Sequence, residues 1–268
     1  MPKALPPPES LQPSLAPPSP IRSLMTAADR YLEIALEQIR NATDTQRGAI
    51  DASAGLVAEA LVAGRFLYAF GTGHSHMLAE EPFYRAGGLA RAAAILDPPL
   101  MLHEGAAASS QREQQTGYAA HVLDRYPVAA GDVLVIASNS GRNAVPVEMA
   151  LTARERGLRT IAITSLAHSR AFPSRHPSGK RLFELTDVVL DNCGVPGDAV
   201  LDLPGLPRRI GPTSTIVGAL LLNMVVVRAV EISITRRHTP DIYASSNADV
   251  PGWNDALIAK YQPQIRHL

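Results

Sequence analysis

Asp132-Val133-Leu134-Val135-Ile136-Ala137-Ser138-Asn139-Ser140-Gly141-Arg142-Asn143 is the stretch that decides the fold. After Asp132 its first half, Val133–Ala137, is an unbroken apolar run rich in branched side chains, with no polar residue alternating in. Such a run predicts a strand buried on both faces, as in a parallel sheet. The second half turns abruptly polar, with two hydroxyls, two side-chain amides and a glycine. A helix is predicted over residues 145–156, and Gly157 is its natural stop. Strand, donor-rich turn and helix in that order are the start of a βαβ unit.

The pattern repeats outward from this stretch. Downstream, Thr160–Thr164 and Asp187–Asp191 read as strands, the latter ending at Asn192-Cys193-Gly194. Upstream, Arg65–Phe70 reads as a strand running into Gly71-Thr72-Gly73-His74-Ser75-His76, with a helix opening at Met77. A short strand is expected at Ala92–Leu96 and a polar helix over 104–126. Apolar residues at spacings of three and four, from Leu24 through Tyr31, Leu32 and Ala35 to Ile39, predict a helix over 21–46. A second helix is predicted over 47–63. Strands alternating with helices imply an α/β fold with a parallel sheet and right-handed crossovers. Ligands in such sheets bind beyond the carboxyl ends of the strands, where Ser75, Ser138, Ser140, Ser165 and Asn192 fall.

Composition agrees. Of 268 residues, 46% are apolar and only 5% aromatic, so the core must rest on aliphatic side chains and alanine. The formal net charge is +0, which gives no reason to expect nucleic-acid binding. Cys193 is the only cysteine, so neither an intrachain disulfide nor a cysteine zinc cluster can form. Residues 1–20 are rich in Pro and Ser and lack an apolar core segment, which reads as a disordered tail rather than a signal peptide. Residues 21–268 read as a single domain. The apolar run Ile216–Val227 is too short to span a bilayer, so a buried helix or helix pair is expected and no membrane partner. A cytoplasmic location follows as the expectation.

Two turns carry the chemistry. Ser138 through Asn143 offers convergent donors at a helix N-terminus, which suits a phosphate dianion. Ser and Asn are also ordinary helix caps, and the turn by itself leaves both readings open. Gly71-Thr72-Gly73-His74-Ser75 is neither the dinucleotide pattern, since His76 stands where a third glycine belongs, nor a P-loop, since no Gly-Lys-Ser/Thr follows.

Together the two turns resemble the SIS family, the sugar isomerase domain of phosphosugar isomerases, lyases and regulators. Gly73-His74-Ser75 matches the family's first glycine-serine turn. Ser138 through Asn143 matches its Ser-x-Ser-Gly-x-Thr/Asn turn throughout. The resemblance covers about residues 25–230. It is nearest to bacterial members that resemble phosphoheptose isomerase, through Ala79-Glu80-Glu81, Cys193-Gly194 and Ser246-Asn247. It implies a three-layer, flavodoxin-like α/β fold with a five-stranded parallel sheet and N-terminal helices. Ser138, Ser140 and Asn143, with the amides of Asn139 and Gly141, would hold the phosphate. Gly73, His74 and Ser75 would form the facing substrate turn, with Ser75 meeting a sugar hydroxyl or phosphate oxygen. The resemblance implies a homodimer or homotetramer and no metal or nucleotide cofactor.

An isomerase or lyase acting on a sugar phosphate must remove a proton beside a carbonyl or imine. That work needs a carboxylate or imidazole of suitable pKa. The candidates are His74, His76, Glu80, Glu81, His103, Glu104 and Glu113. His103, Glu104 and Glu80 are the expected catalytic set. Glu113, among Gln111, Arg112, Gln114 and Gln115, reads as a solvated helix residue. His74, His76, His103 and Glu80 lack a zinc-ligand spacing, so no metal is expected. The expected function is a phosphosugar isomerase or lyase acting on a hexose or amino-sugar phosphate. The alternative is a non-catalytic sugar-phosphate sensor.

Overall fold

The structure, a computed structural model, describes residues 25–247 and 251–268. The tail expected over residues 1–20 lies outside them. Two helices come first, α1 (Ala27–Thr45) and α2 (Arg47–Val62). The Thr26 hydroxyl and the Asp29 carboxylate cap α1 reciprocally, which fixes its start. The sheet follows as β1 (Leu67–Gly71), β2 (Ala92–Ile95), β3 (Val133–Ala137), β4 (Arg159–Thr164) and β5 (Val188–Asp191). Between the strands lie α3 (His76–Glu80), α4 (Ala106–Arg112), α5 (Tyr118–Leu123), α6 (Ala144–Glu155) and α7 (Leu166–Ala171). A small antiparallel pair, β6 (Ala199–Leu201) and β7 (Ile210–Pro212), precedes α8 (Ser214–Thr235) and α9 (Trp253–Tyr261).

All five main strands are parallel, in the order β2-β1-β3-β4-β5. This is the flavodoxin-like order, and its switch point lies between β1 and β3. Alternate side chains sort the core into two layers. Tyr68, Phe70, Leu134, Ile136 and Ala162 face α5, α6 and α9. Leu67, Ala69, Val133, Val135, Ile161 and Ile163 face α2, α3 and α8. With both faces covered, an unbroken aliphatic run such as Val133–Ala137 is what each strand needs.

The stretch over 104–126 is two short helices rather than one, because Gly117 adopts φ +79° ahead of α5. The apolar run near 216–227 belongs to one helix of 22 residues. Among the described residues, α8 is the one helix long and apolar enough to cross a bilayer. It instead packs along α2 and buries Val217, Leu221, Leu222, Val225 and Ala229 in the core of a globular domain. Beyond α8 the chain returns to the sheet edge. Leu89 pairs with Ile242, and the Trp253 indole donates to the Ile242 carbonyl at 2.9 Å, which ties down the C-terminal helix.

Candidate functional site

The turns after β1 and β3 stand on either side of the switch point. At the end of β1 the backbone folds back at once. A Cβ on Gly71 would lie 2.2 Å from the Ser75 carbonyl oxygen, so only glycine fits. Gly73–Ser75 forms a single 3-10 turn, closed by Ser75 N–H donating to Thr72 O at 3.0 Å. The His76 ring nitrogen Nδ1 bonds the Gly73 carbonyl, which turns the imidazole inward, whereas His74 is exposed.

After β3, the Ser138 hydroxyl accepts from Gly141 N–H at 3.2 Å and closes the second turn. Gly141 has φ +57°, and a Cβ there would lie 3.1 Å from both Ser169 Oγ and Thr164 Oγ1. Asn139 anchors the turn to its neighbours. Its Oδ1 accepts from Asn192 Nδ2 at 2.9 Å, and its carbonyl accepts from Ser165 N–H at 3.1 Å. Among the described residues, the backbone N–H groups of Asn139, Ser140, Arg142 and Asn143 and the Ser140 hydroxyl have no protein partner. The 12-residue helix α6 starts directly behind them. Unpaired amides at the positive end of a helix are an arrangement that suits an anion.

Glu113 joins the two turns. It stands at the C-terminal end of α4 and is half-buried. Its Oε2 accepts from the Thr72 hydroxyl at 2.6 Å, and its Oε1 accepts from Asn143 Nδ2 at 2.5 Å. Its own carbonyl accepts from Val145 N–H at 3.0 Å, in the first turn of α6. Burial raises its pKa above the ordinary carboxylate value, while the Thr72 hydrogen bond and the Arg175 charge oppose the rise. Arg175 Nη1 donates to Asn143 Oδ1 at 2.9 Å. The amide of Asn143 therefore spans Glu113 and Arg175, and α6 has no side-chain cap from it.

Ser138, Asn139, Ser140, Gly141 and Asn143 thus occupy one turn, and Gly73, His74 and Ser75 the one facing it. His103 and Glu104 are exposed neighbours, with Nε2 and Oε1 3.6 Å apart. The ring of His103 lies 6.2 Å from that of His76, at the outer edge of the first turn. Glu80 is exposed on α3, 3.8 Å from His76 Nε2. It lines a cleft of about 520 Å³ between α3 and α8 with Met77, Glu81 and Thr215. Burial pushes the Cys193 thiol up, so it stays protonated near neutrality. His238 lines a cavity of about 110 Å³ with Arg91, Asp241 and Lys260, at the amino ends of the strands and away from both turns. No cluster of three or more His, Cys, Asp or Glu side chains suited to a metal occurs among the described residues.

Glu113 is the residue that the sequence reading misplaced. Its polar neighbours point to solvent, while tertiary contacts with Thr72 and Asn143 draw it in. One signal was present: it is the only carboxylate between Gly105 and Leu123.

A parallel sheet in the order β2-β1-β3-β4-β5 with a turn on each side of its switch point is the flavodoxin-like α/β architecture typical of SIS domains. The family model described as "SIS domain" matches residues 30–165. A UPF0309 protein of Listeria monocytogenes is 41% identical over 238 residues, covering 88% of this chain and 96% of that protein. One from Halalkalibacterium halodurans is 42% identical over 246 residues, covering 91% and 96%. The chain belongs to the UPF0309 family of SIS-domain proteins. Two solved structures share the fold. A phosphoheptose isomerase from Francisella tularensis superposes with a TM-score of 0.51 at 15% identity, covering 77% of this chain and all of the other. The Vibrio vulnificus NanR protein, complexed with ManNAc-6P, gives 0.50 at 18% identity, covering 91% and 70%.

Proposed function

We propose that this protein binds a hexose or amino-sugar phosphate at the switch point and acts on it as an isomerase or lyase by proton abstraction. The phosphate occupies the Ser138–Asn143 turn, held by the Ser138 and Ser140 hydroxyls and the free amides. Gly73, His74 and Ser75 face the sugar. The observation that carries the reading is Glu113, a carboxylate of raised pKa held between the two turns. A base beside a bound sugar phosphate must accept a proton from carbon and return it, and a pKa nearer the working pH favours both steps. Glu113 takes that role. His103 with Glu104 stands at the outer edge of the first turn, and Glu80, beside His76, lines the α3–α8 cleft; these are the further candidates for moving protons to and from the sugar oxygens. The reaction requires neither a metal nor a nucleotide. The protein works in the cytoplasm as a homodimer or homotetramer.

A second reading has a specific support. The same fold in NanR is complexed with ManNAc-6P, which extends the choice to a non-catalytic sugar-phosphate sensor. Proton NMR in deuterated buffer, with a panel of aldose, ketose and amino-sugar 6-phosphates, separates the two. Turnover, or deuterium entering the carbon next to the carbonyl, supports the enzyme. Saturable binding with neither change in any member of the panel supports the sensor.

A further inference from the structure

The chain has a formal net charge of +0, yet its charge is uneven around the second turn. The segment from Ser165 to Glu184 carries Arg170, Arg175, Lys180 and Arg181 against a single acid, Glu184. This segment folds directly onto the turn. Arg175 N–H donates to the Arg142 carbonyl at 2.8 Å, and Leu182 N–H donates to the Gly141 carbonyl at 2.8 Å. Glu184 pairs with Arg181 and Lys180. Among the described residues, Arg142 and Arg175 have no carboxylate within 4.0 Å.

Arg142 is the more telling of the two. It occupies the variable position of the Ser-x-Ser-Gly-x-Asn turn, and its side chain leaves the turn on the side of α7. Its guanidinium lies 5.4 Å from the centre of the Phe172 ring, and the Phe172 ring is in turn 5.4 Å from that of His168. Phe172 fixes the direction of the guanidinium without neutralising it. Arg142 Nε is buried with no hydrogen-bond partner. Burial and the charge of Arg175 both disfavour its cationic form. Arg175 reaches the Glu113 carboxylate only through Asn143, and Arg142 has no carboxylate within 4.0 Å, so this pair of neighbouring guanidiniums in a partly desolvated spot is stabilised by an anion. The phosphate in the turn is already met by amides, hydroxyls and the end of α6. The Arg142 guanidinium, turned toward Phe172, serves something beyond it.

We propose that Arg142, supported by Arg175 and stacked on Phe172, forms a second anion subsite beside the phosphate turn, so that the preferred substrate is a sugar phosphate bearing a further acidic group. The proposal rests on the sugar-phosphate reading of the site and narrows its substrate class. A planar carboxylate or a second phosphate would each suit the guanidinium fork.

Calorimetric titration of the full chain with sorbitol 6-phosphate and 6-phosphogluconate tests it. The two probes are alike except for the carboxylate at the other end. The wild-type protein should bind 6-phosphogluconate roughly ten- to a hundred-fold more tightly, the range for one charge-assisted contact. Arg142→Gln should remove most of that preference, with a much smaller effect on sorbitol 6-phosphate, and Arg142→Lys should restore part of it. A parallel pair, fructose 6-phosphate and fructose 1,6-bisphosphate, shows whether carboxylate or phosphate is favoured. Binding of sorbitol 6-phosphate and fructose 6-phosphate with no preference for either doubly acidic probe would overturn the second subsite and leave the phosphate cradle standing. Equal losses for both members of each pair in Arg142→Gln would assign Arg142 to the phosphate itself and equally overturn it. No binding of any probe would remove the sugar-phosphate reading, and this proposal with it.

Discussion

Glu113 has an environment that makes its ionisation costly. Its carboxyl is desolvated, so its folded-state pKa lies above the unfolded value. The native state therefore holds more protons than the unfolded state between those two pKa values, and stability falls as pH rises through that interval. Glu113→Gln removes the ionisation and keeps the shape. The Tm of the variant relative to the wild type should rise with pH through that interval and stay flat below about 4.3, the ordinary glutamate value, on top of a fixed cost for the one accepted hydrogen bond that the Gln amide nitrogen cannot make. Scanning calorimetry across pH measures this. The same substitution should lower turnover by about a hundred-fold or more, the scale of general acid–base catalysis. It should also remove the acidic limb of the pH–rate profile. A pH-independent melting difference, or an unchanged profile, would put Glu113 outside the chemistry. The sequence announced the Ser138–Asn143 turn more clearly than this residue. Ser138–Asn143 declares itself because its donors directly follow a buried strand. Glu113 owes its burial to Thr72 and Asn143, 41 and 30 residues away in the chain.

At the level of elements, the two turns work because β1 and β3 end at the same height. Gly71 pairs in register with Ala137, so both turns leave the sheet side by side. That register follows from long-range pairing of β1 with β3, which a single sequence does not reveal. The strands themselves were legible because burial on both faces demands aliphatic runs. The β6–β7 pair was not, being three residues on each side, with Ile210 and Pro212 exposed. The split between α4 and α5 was also missed, because a polar segment has little apolar period to mark a break. Gly141 is where the second turn depends on its backbone. Gly141→Ala would force an L side chain to φ +57° and crowd Ser169 Oγ and Thr164 Oγ1. A left-handed conformation costs such a residue about 1–2 kcal/mol. In a chain of this size each kcal/mol lowers Tm by roughly 2–4 °C. Thermal melts should show that loss, and calorimetry should show weaker sugar-phosphate binding beyond what instability explains. Wild-type affinity in Gly141→Ala would remove the turn's geometry from the binding argument.

The whole molecule carries more apolar surface than its own sheet uses. Leu32 and Leu36 on α1 are exposed, as are Ile216, Val227 and Ile234 on α8. Val227, 71% exposed on an otherwise core helix, is the plainest case. Burial of such side chains between copies would be favourable at about 25 cal/mol per Å², so light scattering after size exclusion should find a dimer or tetramer at micromolar concentration. Val227→Lys should shift it toward monomer, and a monomeric wild-type protein would refute the assembly. The central claim is that the second turn holds a phosphate. Ser140 tests it most cleanly, because its hydroxyl supports no other part of the protein among the described residues. Removing one donor to a charged acceptor costs about 1.5–3 kcal/mol, roughly ten- to a hundred-fold in affinity. Titration calorimetry of wild-type and Ser140→Ala proteins with a sugar 6-phosphate and its unphosphorylated parent reads this directly. The expected result is tight binding of the phosphate ester by the wild type alone, a ten- to hundred-fold loss in the variant at unchanged Tm, and weak, nearly equal binding of the parent sugar to both. Equal affinity of the two proteins for the phosphate ester would contradict the claim and place the anion elsewhere.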